Sequence, residues 1–586
     1  MRVKTKWSLA ILCLVGVVNS SALGQDKSAA RAFERKALTD VYYSEGANAG
    51  DLNGDGKMDV VYGPLWFEGP SFEKKHEIYA PKPQNREFYA DNFFSWIYDF
   101  NGDGLNDVFV VGFPGTPAYV YENPGKGALD QHWKKHQVFD SVSNESPHFT
   151  NLVGDEKPEL VCTREGFFGY ATVDWAKPFE PWTFHPISDP LADKKFGHGL
   201  GVGDINGDKR LDIIQAGGWF EQPEIEDGKS RWKLHEVTFT PNYGGAEMYA
   251  YDVDGDGDND VITSLAAHDF GLAWYEQVKQ GADVTFKERL VMGSHPSDNA
   301  YGVLFSELHS VNVVDLDGDG LKDIVTGKTY YSHHKQSPMW DAGAVVYCFQ
   351  LERGPDAGGK VTASYVPHKL DDKSGIGRQL SVADLNGDKL PDIIVGGMVG
   401  CSVLIQNKEG VRKLEKPKLY DGPPKPSADG AKPSRGAKIE RDAKGMVAGA
   451  IEGESITAKV SAGRTSVQDM KSFKDGIWSG DKQVFWTGAK PGDVMELEIP
   501  ATASDKELEV VFTCAGDYAI VQLELNGKAL GAPIDLYDGK VVSSGVIKFP
   551  LPKTEEKSRK LAIKIVGANA KAAKSHMVGL DYVRVR

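Results

Sequence analysis

Cysteine is scarce in this chain, with five in 586 residues, and Cys162, Cys348, Cys401 and Cys514 lie far apart, mostly inside apolar runs. That distribution argues against a disulfide framework and for small buried hydrophobes. Long apolar runs are lacking too. The longest, Leu9 to Val18, follows a basic start and precedes Ser21-Ala22-Leu23-Gly24. It is too short to span a bilayer and reads as a signal peptide over residues 1–24, so a secreted, periplasmic or extracellular protein without a transmembrane segment is expected. Positive charge is the third shortage. A net charge of −16 disfavours nucleic acid and anionic membranes, both of which need a cationic face. Carbohydrate or a cation remains a compatible partner, and the oligomeric state is left open.

What the chain has in abundance is Asp, Asn and Gly in one recurring nine-residue loop. Copies begin at Asp51, Asp99, Asn151, Asp204, Asp252, Asp315 and Asp384, at intervals of 48, 52, 53, 48, 63 and 69 residues, the range of a four-stranded repeat. A loop is followed by a β-branched strand such as Ile324-Val325, then an aromatic one such as Trp219-Phe220-Glu221, then a third such as Leu234-His235-Glu236-Val237. With the strand that leads into the loop, this makes four strands per repeat, and seven repeats predict an all-β, seven-bladed β-propeller over residues 33–407. The seventh repeat runs out after its third strand, so Phe33-Glu34-Arg35-Lys36-Ala37-Leu38 is expected to supply the missing outer one. A Pro/Lys/Gly-rich linker over 408–449 and a second all-β domain over 450–586, a β-sandwich of jelly-roll type, complete the expected order.

Six loops carry oxygen-bearing side chains at positions 1, 3, 5 and 9: Asp51, Asn53, Asp55 and Asp59; Asp99, Asn101, Asp103 and Asp107; Asp204, Asn206, Asp208 and Asp212; Asp252, Asp254, Asp256 and Asp260; Asp315, Asp317, Asp319 and Asp323; Asp384, Asn386, Asp388 and Asp392. Alternate positions of a tight loop can turn several oxygens inward, as a hard cation such as Ca²⁺ requires, with an affinity of about 10⁻⁴–10⁻³ M for extracellular modules. The third loop has Val153 at position 3 and is expected to be metal-free. Lys209 and Lys389 at position 6, where the other four full loops have Gly, are expected to weaken two sites. The alternative is that these side chains only hydrogen-bond the turn backbone. On these motifs the repeats resemble the FG-GAP or VCBS class of propeller blades, which implies the fold and is silent on activity.

In such a blade the loop lies on one face and the start of the preceding strand on the other. Six residues upstream of the seven loops stand Glu45, Phe93, Glu145, His198, Ala246, His309 and Arg378, too polar a set for a purely structural ring. Imidazoles and carboxylates gathered at one mouth make a transition-metal site or an acid/base pair. His198, His268 and His309 are the candidate ligands of Zn²⁺ or another divalent ion, and Glu145, His148, Glu247 and Arg378 the candidate catalytic groups. Tyr331, His333, His334 and Arg164 are the candidate substrate-binding residues. By contrast His76, His136, His185, His235 and His368 recur in outer strands and are expected to be structural.

Two stretches, Phe196-Gly197-His198-Gly199-Leu200-Gly201 and Glu307-Leu308-His309-Ser310, together with Gly217-Gly218-Trp219-Phe220-Glu221, resemble the propeller of aldos-2-ulose dehydratase, which carries a metal ion and eliminates water from keto-sugars. The resemblance implies β-elimination, with His198 and His309 holding the ion, another His or Glu145 taking the proton and Arg378 stabilising the enolate. The cupin domains of that enzyme, and hence its isomerase step, have no counterpart here. In the last domain, Ile451-Glu452-Gly453-Glu454 and Gly579-Leu580-Asp581-Tyr582 resemble the terminal strands of carbohydrate-binding jelly rolls. That resemblance implies calcium at Glu452, Glu454 and Asp581. Trp478, Phe485 and Trp486 stand as sugar-stacking or core residues. The expected function is that of a calcium-stabilised protein acting on carbohydrate as a metal-dependent dehydratase or lyase; a non-catalytic polysaccharide-binding or adhesion protein is the alternative.

Overall fold

The computed structural model describes residues 32–240, 244–280, 283–330, 337–355, 361–407, 417–420, 441–443, 445–473, 478–551, 554, 556–569, 572–573 and 575–586. The signal peptide, most of the linker, and Tyr331, His333 and His334 lie outside them. The chain divides into two compact bodies, one ending at Gly422 and the other beginning at Pro423. Both are all-β, and helix among the described residues is limited to short turns such as Pro296–Asp298. No helix among those residues is long and apolar enough to cross a membrane.

The first body is built from seven antiparallel four-stranded sets. Their first strands are Asn48–Gly50, Asn92–Tyr98, His148–Thr150, Leu200–Gly203, Glu247–Tyr251, Val311–Val314 and Leu380–Ala383, and each runs into an acidic loop. The second strands, such as Asp392–Gly397, are buried on both faces, which suits their β-branched residues. In the seventh set the outermost strand is Ala32–Thr39, antiparallel to Gly400–Asn407. The N-terminal segment thus completes the repeat that the sequence leaves short.

Neighbouring repeats are tied by a recurring side-chain bond. Asn123, Gln222, Gln277 and Gln406 each stand on the third strand of a repeat or just beyond it and donate to the carbonyl at loop position 2 of the repeat before: Leu52, Leu152, Ile205 and Leu316, at 2.8–3.0 Å. Arg353 does the same for Val253. First strands of successive repeats also meet in parallel, as at Leu200–Val202 with Glu247–Tyr249, and the seventh meets the first at Gly46 and Gln379.

In the acidic loops the position 9 side chain is buried, and in every repeat it accepts from backbone N–H groups. Asp323 accepts from Leu316 and Leu351, and Asp392 from Leu385 and Gln406. At positions 1, 3 and 5 the near oxygens hold the turn. In the sixth loop Asp315 accepts from Gly318, Asp319 and Gly320, Asp317 from Asp319, and Asp319 from Leu321. Position 6 is left-handed backbone throughout. Gly320 (φ 92°) meets that demand freely, whereas Lys209 (φ 72°) and Lys389 (φ 69°) occupy it under strain.

The second body pairs two sheets around one core. One contains Arg464–Asp469, Lys482–Thr487, Val578–Val585 and Glu507–Cys514, and the other Val494–Pro500, Ser558–Ala568 and Ala519–Leu525. Met495, Leu497 and Ile499 alternate inward along one strand and meet Trp486 and Phe512 from the other sheet. Trp478 and Trp486 are buried, and their indole N–H groups donate to Thr513 Oγ1 and Ala462 O. They are core residues, which removes them as sugar-stacking platforms.

Candidate functional site

Residues from all seven repeats converge in the first body. His198 and His309 sit just before the first strands of the fourth and sixth repeats, and His268 lies in the turn after Asp260–Ser264 of the fifth. One nitrogen from each of the three lies within 4.8 Å of the others. Ring centroids are 4.7 Å apart for His198 and His268 and 4.9 Å for His268 and His309. His309 is buried, while His198 and His268 keep partial exposure.

Carboxylates stand behind the imidazoles. Glu145 Oε2 of the third repeat is 3.6 Å from His198 Nε2, and Glu307 Oε2 is 3.3 Å from His309 Nδ1. Arg378 of the seventh repeat links the whole: Nε is 3.3 Å from Glu145, Nη1 is 3.2 Å from Glu45 of the first repeat, and its guanidinium lies over Tyr89 and Phe93 of the second. The Tyr42 hydroxyl donates to Glu45. Burial pushes the Glu145 carboxyl up, yet His198, Arg378 and His268 together hold it at about 2. Burial raises the Glu45 carboxyl, against the pull of Arg378 and Tyr42. Burial also works against the charged Arg378, but Glu45 and Glu145 keep its pKa raised.

Several expected site residues are engaged elsewhere. Arg378 is 1% exposed, and its donors face Glu45, Glu145 and, at 3.5 Å, His309 Nε2. His148 is 3.1 Å from Leu200 O and stands edge-on to Tyr249, joining the third repeat to later ones. Glu247 accepts from Val311 N and Ser310 Oγ, and burial raises its pKa to about 8. Arg164 pairs with Asp140 beside Phe139 and Phe184. The outer-strand histidines are structural where described: His235 stacks on Trp219 at 4.0 Å and meets Glu221 at 2.7 Å, and His76 repeats this with Trp66 and Glu68.

Glu307 escaped the sequence reading. It is fully buried with φ 65°, unusual backbone for a non-glycine residue and a mark of functional sites, but nothing in Glu307-Leu308-His309 announces it. Two of the acidic loops also gather three carboxylates within 4.8 Å: Asp252, Asp254 and Asp260, and Asp315, Asp317 and Asp319. In the second body, Glu452 accepts from Ser479 Oγ and Asp581 from Ser479 N, while Glu452 Oε2, Glu454 Oε2 and Asp581 Oδ2 are buried without a hydrogen-bond partner. Burial pushes Asp581 up to about 9, Ser479 pulls it down, and Glu452 and Glu454 add to the rise.

No family model matches the chain. The chain is 23% identical to the rhamnogalacturonan exolyase YesX of Bacillus subtilis (strain 168), over 39% of each protein, and so spans about two fifths of that relative's length. Among solved structures it is similar to an Agrocybe aegerita lectin that recognises non-reducing terminal N-acetylglucosamine (16% identity, TM-score 0.33, 59% of this chain and 81% of that one). It is also similar to the exo-β-1,3-galactanase of Phanerochaete chrysosporium (9% identity, TM-score 0.27, 95% of this chain and all of that one).

Proposed function

We propose that the first body is a seven-bladed β-propeller with a divalent-metal centre at one mouth, and that the protein acts on carbohydrate as a carbon–oxygen lyase. The observation that carries this reading is the approach of His198, His268 and His309 to within 4.8 Å of one another from three different repeats. Imidazole ligands around a tetrahedral zinc ion stand roughly 3.4 Å apart, given bonds of about 2.05 Å, so a small inward rotation of the rings brings all three into reach of one ion. Glu307 and Glu145 stand where carboxylates commonly orient metal-binding imidazoles. Glu45, Glu145 and Glu307 also outnumber the buried cations Arg378 and Lys328, and a divalent ion would offset that excess.

Such an ion supplies Lewis-acid polarisation of a substrate oxygen. The protein's own groups bind, orient and handle the proton. His198 and His268 are the members of the cluster that reach the opening, Glu145 fixes His198, Glu307 fixes His309, and Arg378 holds the two carboxylates Glu45 and Glu145 apart. In β-elimination Glu145, whose Oε1 has no hydrogen-bond partner among the described residues, takes the proton from the carbon next to a carbonyl or carboxylate. The electron pair then forms a carbon–carbon double bond as the oxygen on the next carbon leaves. The partial match to an exolyase supports this reaction class over hydrolysis. The acidic loops, and the cluster of Glu452, Glu454 and Asp581, are read as structural calcium sites.

The test is metal analysis of the full chain by inductively coupled plasma mass spectrometry. About one equivalent of a transition metal is expected in the wild type and less than a tenth in the double variant His198→Ala/His309→Ala. Ultraviolet absorbance then follows unsaturated product from rhamnogalacturonan and from keto-sugars. Metal retained by the double variant refutes the centre; metal lost without any turnover favours the non-catalytic polysaccharide binder.

A further inference from the structure

Beside the histidine cluster, around the fourth repeat, lies a cavity of about 220 Å³. This is small beside the roughly 300–1,000 Å³ of sites for drug-sized ligands. Its polar wall includes Asn144, Thr163, His198, Gln215 and Thr240, and Phe168 gives it an apolar side. Asn144 Nδ2, Thr163 Oγ1 and Thr240 Oγ1 are all buried with no hydrogen-bond partner. Buried polar atoms are normally bonded, and each one left over calls for an explanation. Three around one cavity fit a ligand that both donates and accepts at several positions.

Local bonds hold this wall in place. Asn144 Oδ1 accepts from Thr163 N at 2.9 Å, which fixes the amide and leaves Nδ2 to donate. Gln215 Oε1 accepts from Gly217 N at 2.7 Å. Gly244 closes the opposite side against His198, where a Cβ would come within 2.2 Å of His198 O. No lysine or arginine is among the residues that line the space, and Asp193 is the charged residue at its edge. An anionic sugar would therefore meet no compensating charge.

We propose that this cavity is the subsite for one neutral pyranose ring, whose hydroxyls bond Asn144, Thr163 and Thr240, and that it opens beside His198 so that the ring presents its reacting oxygen to the three histidines. The proposal rests on the reading of that cluster as the reaction centre, although the binding itself needs no metal.

The experiment is titration calorimetry of the full chain with galactose, glucose, rhamnose and galacturonate. Thr163→Val and Thr240→Val each remove one hydroxyl at nearly constant shape. At least one neutral sugar is expected to bind the wild type, and each variant to bind it about 3–10-fold more weakly, with metal content unchanged. Ala216→Leu, on the half-exposed rim, is expected to abolish binding by filling the space, and stands in if a threonine variant fails to fold. No binding of any neutral sugar, equal affinity in the variants, or a preference for galacturonate overturns the proposal. His309→Ala separates the two readings: it should lose metal and keep sugar binding. Retention of its metal, with sugar binding still sensitive to Thr163 and Thr240, would leave the subsite standing and remove the metal centre.

Discussion

His309 and Asp323 belong to the same repeat, 14 residues apart, and are shaped by opposite demands. Asp323 is 1% exposed and both its oxygens accept from backbone N–H groups, so it holds the repeat together. Asp323→Ala leaves Leu316 and Leu351 N–H buried without acceptors and is expected to cost about 2–4 kcal/mol, read as a fall in the urea midpoint at unchanged slope. A change below about 0.5 kcal/mol would place those amides in water. The third loop, which has Val153 at position 3, isolates the pH behaviour of this position. Burial pushes Glu159 up to about 7, so the folded state holds its proton more tightly than the unfolded chain. Its contribution to stability is therefore present at low pH and is lost as pH rises from about 4.5 to 7. Glu159→Gln should flatten that part of the stability curve, and identical curves would contradict the assignment.

At this scale the sequence was half legible. Counting six residues back from each loop reached Glu45, Phe93, Glu145, His198, His309 and Arg378, which the fold does bring together, because a strand of fixed rise carries its start to the opposite face. The count could not say which of these donors would be used up within the cluster. Arg378 and Glu145 occupy each other, and Glu247 and His148 are spent on neighbouring strands. Such pairings are set by residues 52 to 233 positions away.

Among elements, the strand Ala32–Thr39 stands out, since it pairs along its whole length with Gly400–Asn407. Its amphipathic sequence and the shortfall of the seventh repeat made this pairing legible. The ties from Asn123, Gln222, Gln277 and Gln406 were not, because a single amide on a strand carries no signal of its partner. Deleting residues 32–39 would leave Gly400–Asn407 as an open sheet edge, a template for association between chains. The expected outcome is a lower melting temperature together with aggregation detectable by light scattering. A monomeric deletion variant with unchanged melting would show the strand to be dispensable.

For the whole molecule, the proposed cation binding would be spread over many weak sites. If the better acidic loops take Ca²⁺ with dissociation constants near 10⁻³ M, then 5 mM CaCl₂ added after EDTA treatment contributes about 1 kcal/mol per occupied loop. The expected readout is a melting temperature several degrees higher with calcium than without, and little response to MgCl₂. No shift would leave the loops as backbone turns only, which their internal hydrogen bonds already support.

The pairing of Ala32 with Asn407, 375 residues further along, also sets a timetable. The first strand leaves the ribosome long before its partner exists, and at about 5–20 residues per second the interval is on the order of 20–75 s. Until then the second to sixth repeats can form in order, while the N-terminal strand waits without a sheet to join. A nascent chain halted before Gly400 is thus expected to carry an unmatched strand at its leading end, a period of exposure that a permuted gene starting at the Leu380–Ala383 strand would remove.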